Sequence, residues 1–129
     1  MNNVSPGEFE DKVAIVTGAA SGIGRATVNL FHSRGASVVA EDIKPEVDEL
    51  TRGNEQIATL VGDVSSEETA KRSVALAIER FGKVDILVNN AARIINKLVV
   101  DMTVEDWDSI MAVNVRGWFF FIHAKHSVQ

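Results

Sequence analysis

Val13-Ala14-Ile15-Val16-Thr17-Gly18-Ala19-Ala20-Ser21-Gly22-Ile23-Gly24 is the stretch that decides the fold. Four apolar residues in a row leave no polar face for water, so Val13 to Val16 read as a strand covered on both sides, as in a parallel sheet. The run stops at Thr17-Gly18. From Ile23, apolar residues recur at helical spacing (Ala26, Thr27, Leu30, Phe31) until Arg34-Gly35, where a cation suits the negative helix end and a glycine the C′ position. A strand passing through glycines straight into a helix opens a βαβ unit, and each glycine has a task. Gly18 permits the sharp exit, Gly22 lets backbone approach a ligand, and Gly24 lets the helix pack closely on the sheet. The free N–H groups and positive dipole at the helix mouth, with Ile23 inside it and the Ser21 hydroxyl beside it, suit a pyrophosphate. No Gly-Lys-Ser/Thr follows, which excludes a nucleoside-triphosphate loop.

Outward from this unit the pattern repeats. Ser37 to Ala40 reads as a second strand ending at Glu41-Asp42, and a weaker helix follows over 46–52. Gln56 to Val61 is a third strand, before Gly62-Asp63. Ser65 and Glu68 have capping-box spacing and head a helix carrying Ala70, Val74, Ala77, Ile78 and Phe81. Val84 to Val88 is a fourth strand that closes on Asn89-Asn90-Ala91-Ala92. Thr103 caps a further helix with Trp107, Ile110 and Met111, which either bends or is renewed near Asn114 before an apolar stretch, Trp118 to His123. The expected fold is α/β: a Rossmann-type doubly wound parallel sheet in strand order 3-2-1-4, incomplete because the later strands are absent. Residues 1–11 read as a loose tail and 12–129 as one domain. Chemistry belongs at the carboxyl ends of the strands, where Gly18, Asp42, Asp63 and Asn90 fall.

Asp42 lies 18 residues after Gly24, at the tip of the second strand. A carboxylate there accepts hydrogen bonds from adenine-ribose hydroxyls and repels a 2′-phosphate. The spacing therefore favours NAD over NADP, and Ile43 follows where an arginine would serve the phosphate. Glu41 should point elsewhere, because successive strand side chains alternate. The chain has 129 residues, 13 Lys+Arg against 18 Asp+Glu, and a net charge of −5, so no clustered basic surface for nucleic acid is expected. With no cysteine there is no disulfide, thiolate metal site or cysteine nucleophile. His32, His123 and His126 lack partners at ligand spacing, and no metal site is expected. No apolar run reaches membrane length and the N-terminus is polar and acidic, which points to a cytoplasmic protein.

These residues together resemble the short-chain dehydrogenase/reductase family, from Lys12 to about Ala124. Thr17, Gly18, Gly22 and Gly24 fill its T-G-x-x-x-G-x-G pattern. Asp63-Val64 matches the family's Asp-Val, which the resemblance places near the adenine ring. Asn89-Asn90-Ala91-Ala92 stands where the family has N-N-A-G, and Ala92 in place of glycine is strained only if its φ must be positive. Asn114, in Asn114-Val115-Arg116-Gly117, matches the helix asparagine that the family uses to hold a water of its proton relay. The resemblance implies hydride transfer between a nicotinamide coenzyme and an alcohol or ketone. The family's catalytic Ser and Tyr-x-x-x-Lys lie beyond the helix of Asn114, and these 129 residues contain no tyrosine. The chain is thus expected to be the coenzyme-binding portion, inactive alone. A non-catalytic nucleotide-binding or interaction module is the alternative, and a methyltransferase would leave Asn89-Asn90-Ala91 without a job.

Trp107 is expected in the core from its helical phase, with a wall of the adenine site as the alternative. Trp118-Phe119-Phe120-Phe121 cannot all face one side of a helix, so one face should be buried under the sheet and the other should meet a second copy, giving a homo-oligomer.

Overall fold

The computed structural model describes residues 7–128. Its first strand, β1 (Val13–Thr17), is buried at every position and runs between two parallel neighbours. On one side lies β2 (Ser37–Asp42), itself paired with β3 (Ile57–Val61); on the other lies β4 (Ile86–Val88). The order is β3-β2-β1-β4, all parallel. The sheet is the one expected from the sequence. Its register sets Thr17 beside Glu41 and Asp42 beside Val61, so the carboxyl ends of the strands gather their polar residues at one rim.

Two apolar clusters cover the two faces. Helix α1 (Gly22–Ser33) and the 3-10 helix Pro45–Thr51 close one, where Val28, Val47 and Leu50 meet Val16, Val38 and Ala40. Helix α2 (Glu67–Phe81) and the last helix close the other, where Val74, Ala77 and Phe121 meet Val13, Ile15 and Val39. After β4 the chain passes through a loop and a 3-10 turn (Val99–Asp101) into α3 (Val104–Met111). A π-helical turn (Ala112–Arg116) then leads to α4 (Gly117–Ser127). The break in regular helix expected near Asn114, as a bend or a renewal, takes the form of this turn, whose wider coil marks many functional sites. Thr103 caps α3, accepting from Asp106 N–H while the Asp106 carboxylate accepts from Thr103 N–H.

Several local expectations are corrected. Along α1 the buried residues are Gly24 and Val28, whereas Ile23 and Leu30 are exposed. The helix turns its glycine to the sheet because that line of approach admits no side chain. The capping box at Ser65 does not form. The Asp63 carboxylate accepts from the Ser65 N–H (2.9 Å) and hydroxyl (2.8 Å), and this tight Asx turn leaves Ser66 as the N-cap with no side-chain bond. The weak helix after β2 is 3-10, begun by Pro45. β4 is shorter than expected, because the Asp85 carboxylate rather than a backbone carbonyl takes the Val13 N–H. Trp107 is not core; it is 58% exposed on α3.

Within the expected tail, Gly7–Asp11 form turns held to α1. Phe9 packs edge-on against Phe31 at 5.0 Å, its N–H donates to the Arg34 carbonyl, and Glu8 pairs with Arg34. Residues 1–6 lie outside the described residues. Among the described residues no helix is long and apolar enough to cross a membrane.

Phe121 is fully buried and ties α4 to the sheet and α2. Phe121→Ala should cost about 3–5 kcal/mol. Urea denaturation followed by circular dichroism reads this as a lower midpoint, whereas Phe119→Ala, on the exposed side, should change it little.

Candidate nucleotide-binding cleft

The carboxyl rim of the sheet opens into a cleft of about 400 Å³. Thr17, the last residue of β1, organises it. Its hydroxyl accepts the N–H groups of both Asn90 and Ala91 at 3.0 Å and donates to the Val88 carbonyl at 3.5 Å. The Asn90 side-chain amide donates to the Gly18 carbonyl at 3.2 Å. The segment leaving β4 is thereby strapped across the end of β1.

Gly18 has φ +68°, and a Cβ there would stand 2.9 Å from the Asn90 amide nitrogen. At Gly24 a Cβ would overlap the Gly18 carbonyl and crowd the same nitrogen, so the start of α1 is pressed against the loop it leaves. Gly22 differs: φ is +57°, and the direction of its missing side chain is open space. Ser21 at the N-cap makes no side-chain bond and the first turn carries no acid. The leading N–H groups of α1 are thus uncapped behind an open glycine, a cradle whose donors suit an anion.

Asp42 is almost buried, and both its oxygens already work. One accepts from the Ala20 N–H and the other from the Lys44 N–H, each at 2.9 Å. The carboxylate therefore braces the glycine loop from below, and each oxygen keeps a lone pair for a further donor.

Gly18, Ser21, Asp42, Asp63, Val64, Asn90, Ala91 and Ala92 all line the cleft. Ala92 has no positive φ, so its methyl introduces no backbone strain. Gly24 lies buried behind the wall, Gly22 stands at the mouth of α1, and Ile23 turns outward, 78% exposed. Asn114 lies outside the cleft. Its side chain pairs with the backbone of Arg93, accepting the N–H at 2.8 Å and donating to the carbonyl at 3.1 Å. It thus clamps a lining residue to the π-helical turn, and neighbouring Val113 joins the wall.

Sequence reasoning missed Thr17 as a strap and Glu41 as a lining residue. Glu41 does face away from Asp42 on the strand, but it is fully buried at the rim and neither oxygen has a hydrogen-bond partner. Burial is the main reason its carboxyl is pushed from the usual 4.5 up to about 8, and the Asp42 charge adds to it. The Gly18 N–H pulls it back only in part, and Asp63 raises it a little further. The available signal was a charged residue inside a strand covered on both faces.

The sequence profile of the short chain dehydrogenase family matches residues 12–126. This chain belongs to that family. It is 41% identical over 116 residues to a 3-oxoacyl-[acyl-carrier-protein] reductase of Thermotoga maritima, covering 86% of this chain and 47% of that one. It is 33% identical over 119 residues to an uncharacterized oxidoreductase of Staphylococcus aureus, covering 88% and 51%. Among solved structures, a short-chain dehydrogenase/reductase of Brucella melitensis, described as glucose/ribitol dehydrogenase, superposes with a TM-score of 0.88 at 37% identity, over 93% of this chain and 52% of that one. A 3-ketoacyl-(acyl-carrier-protein) reductase of the same organism, complexed with NADH, gives 0.84 at 35% identity, over 90% and 49%. The chain spans about half the length of these relatives.

Glu41 gives stability a definite pH dependence. The folded chain keeps the Glu41 proton up to about pH 8, whereas the unfolded chain releases it near 4.5. Between these values the folded state holds more protons, so stability falls as pH rises and levels off above 8, by about 5 kcal/mol at most. Glu41→Gln, which does not titrate, should match the wild type near pH 4.5 and melt at a higher temperature at pH 9. Thermal unfolding at pH 4.5, 7 and 9 measures the gap.

Proposed function

We propose that this chain is the coenzyme-binding part of an NAD-dependent short-chain oxidoreductase that interconverts an alcohol and a ketone. The carrying observation is the uncapped mouth of α1, behind the open face of Gly22 and braced by Asp42. The N–H groups of Gly22, Ile23 and Gly24, with the Ser21 hydroxyl, would hold the diphosphate. Asp42 would accept from the adenine-ribose hydroxyls and repel a 2′-phosphate, the reason for preferring NAD to NADP. Asp63 and Val64 would border the adenine, and Asn90, Ala91 and Ala92 the second ribose. When bound, the coenzyme supplies the hydride acceptor or donor. Asn114 acts as a positioning residue, holding the Arg93 segment of the wall.

The NADH in one Brucella relative and the 3-oxoacyl and 3-ketoacyl substrates in the names of two relatives support the coenzyme and the carbonyl class. These 129 residues contain no tyrosine, so the proton transfer of the reaction is assigned to none of them, and we expect no turnover from this chain alone. The reading places the protein in the cytoplasm and joins copies through the outer face of α4, where Trp118, Phe119 and Ile122 are exposed.

Titration calorimetry should show NAD binding more tightly than NADP. Asp42→Ala should shift that preference about tenfold toward NADP, the scale of a lost hydrogen bond to a charged group. Absence of NAD binding, or tighter NADP binding by the wild type, would overturn the reading. Light scattering at micromolar concentration should report a species larger than one chain, reduced by Phe119→Glu.

A further inference from the structure

Resting on the coenzyme reading above, we propose that Glu41 is a proton switch beneath the cleft, neutral when an anionic dinucleotide is held and opposed to it when ionised. Three observations of geometry carry this. Glu41 lines the cleft at the end of β2, yet its two oxygens are sealed from water and have no hydrogen-bond partner. Its backbone carbonyl accepts the Ala19 N–H at 2.9 Å, which joins it to the loop that would carry the diphosphate. Among the described residues, no cation compensates its charge. Asp42 is its neighbour on β2, Asp63 follows β3, and Gly18, just past the end of β1, contributes its amide. Lys44 and Arg93 line the cleft, and neither forms an ion pair with Glu41.

A carboxyl so placed holds its proton at neutral pH, and its ionisation is centred near 8. Bringing a diphosphate to the mouth of α1 adds negative charge at the same carboxyl rim of the sheet and displaces water from the cleft. Both effects disfavour the carboxylate further. By linkage, binding raises the pH at which Glu41 ionises, the complex takes up a proton, and affinity falls as pH rises beyond 8. One charge about 10 Å away at an effective dielectric of about 20 is worth roughly tenfold in affinity. No cysteine or tyrosine is present to titrate in the same range.

The test is calorimetric titration of the full 129-residue chain with NADH from pH 6.5 to 9.5, in two buffers of different ionisation enthalpy. The expected result is a constant Kd below pH 7.5 and a rise of about tenfold by pH 9.5. Net proton uptake should be greatest near pH 8.5. Glu41→Gln, or Glu41→Ala should the glutamine variant not fold, should bind with a flat Kd over this range and no such uptake. Wild-type binding with a flat profile and no proton uptake overturns the switch and leaves the coenzyme reading standing. An equal pH dependence in the variants also overturns it, and absence of NADH binding at every pH overturns both.

Discussion

The start of α1 presses on the loop it has just left, with Gly24 against the Gly18 carbonyl and the Asn90 amide, and the rest of the molecule is arranged around that approach. A side chain at Gly24 would lift the helix from β1, and the first-turn N–H groups would no longer meet the rim of the sheet. The same closeness explains which face of α1 is buried. Val28, one turn further on, follows Gly24 inward, and Ile23 and Leu30 are left outside. Thr17 and Asn90 complete the joint from the β4 side, so three consecutive parts of the rim share hydrogen bonds rather than merely lying side by side.

Much of this was legible in the residues. The apolar runs of β1 and β2 mark buried parallel strands because nothing in them tolerates water, and the glycines between β1 and α1 identify the turn. What stayed hidden depends on choices between local partners. Ser65 and Glu68 have the spacing of a capping box, but Asp63 reaches the Ser65 donors first. The helical phase of Trp107 suggests burial, yet the indole stays in water on α3. Glu41 was read correctly as facing away from Asp42, but alternation along a strand does not say that both faces are closed at that depth.

Asp42 and Glu41 show how two adjacent acids acquire different chemistry from one strand. Asp42 finds two backbone donors and serves as a charged brace. Glu41 has only the partial pull of the Gly18 N–H and keeps its proton instead. The difference lies in what each side chain meets: Asp42 reaches the Ala20 and Lys44 N–H groups, whereas Glu41 is sealed away with its oxygens unpartnered. A chain can in this way carry a permanent charge and a conditional one at neighbouring positions.

The π-helical turn at Ala112–Arg116 sets the angular phase between α3 and α4. Each residue advances an α-helix by about 100°, so removing one residue from this turn would swing the aromatic run of α4 by roughly that angle. Phe121 would leave the interior, Ile122 would rotate into its place, and the Asn114 clamp on Arg93 would lose its footing in the same stroke. The widened coil therefore acts as a gear that couples the packing of the last helix to the shape of the cleft wall, and an insertion or deletion here is far more disruptive than a substitution.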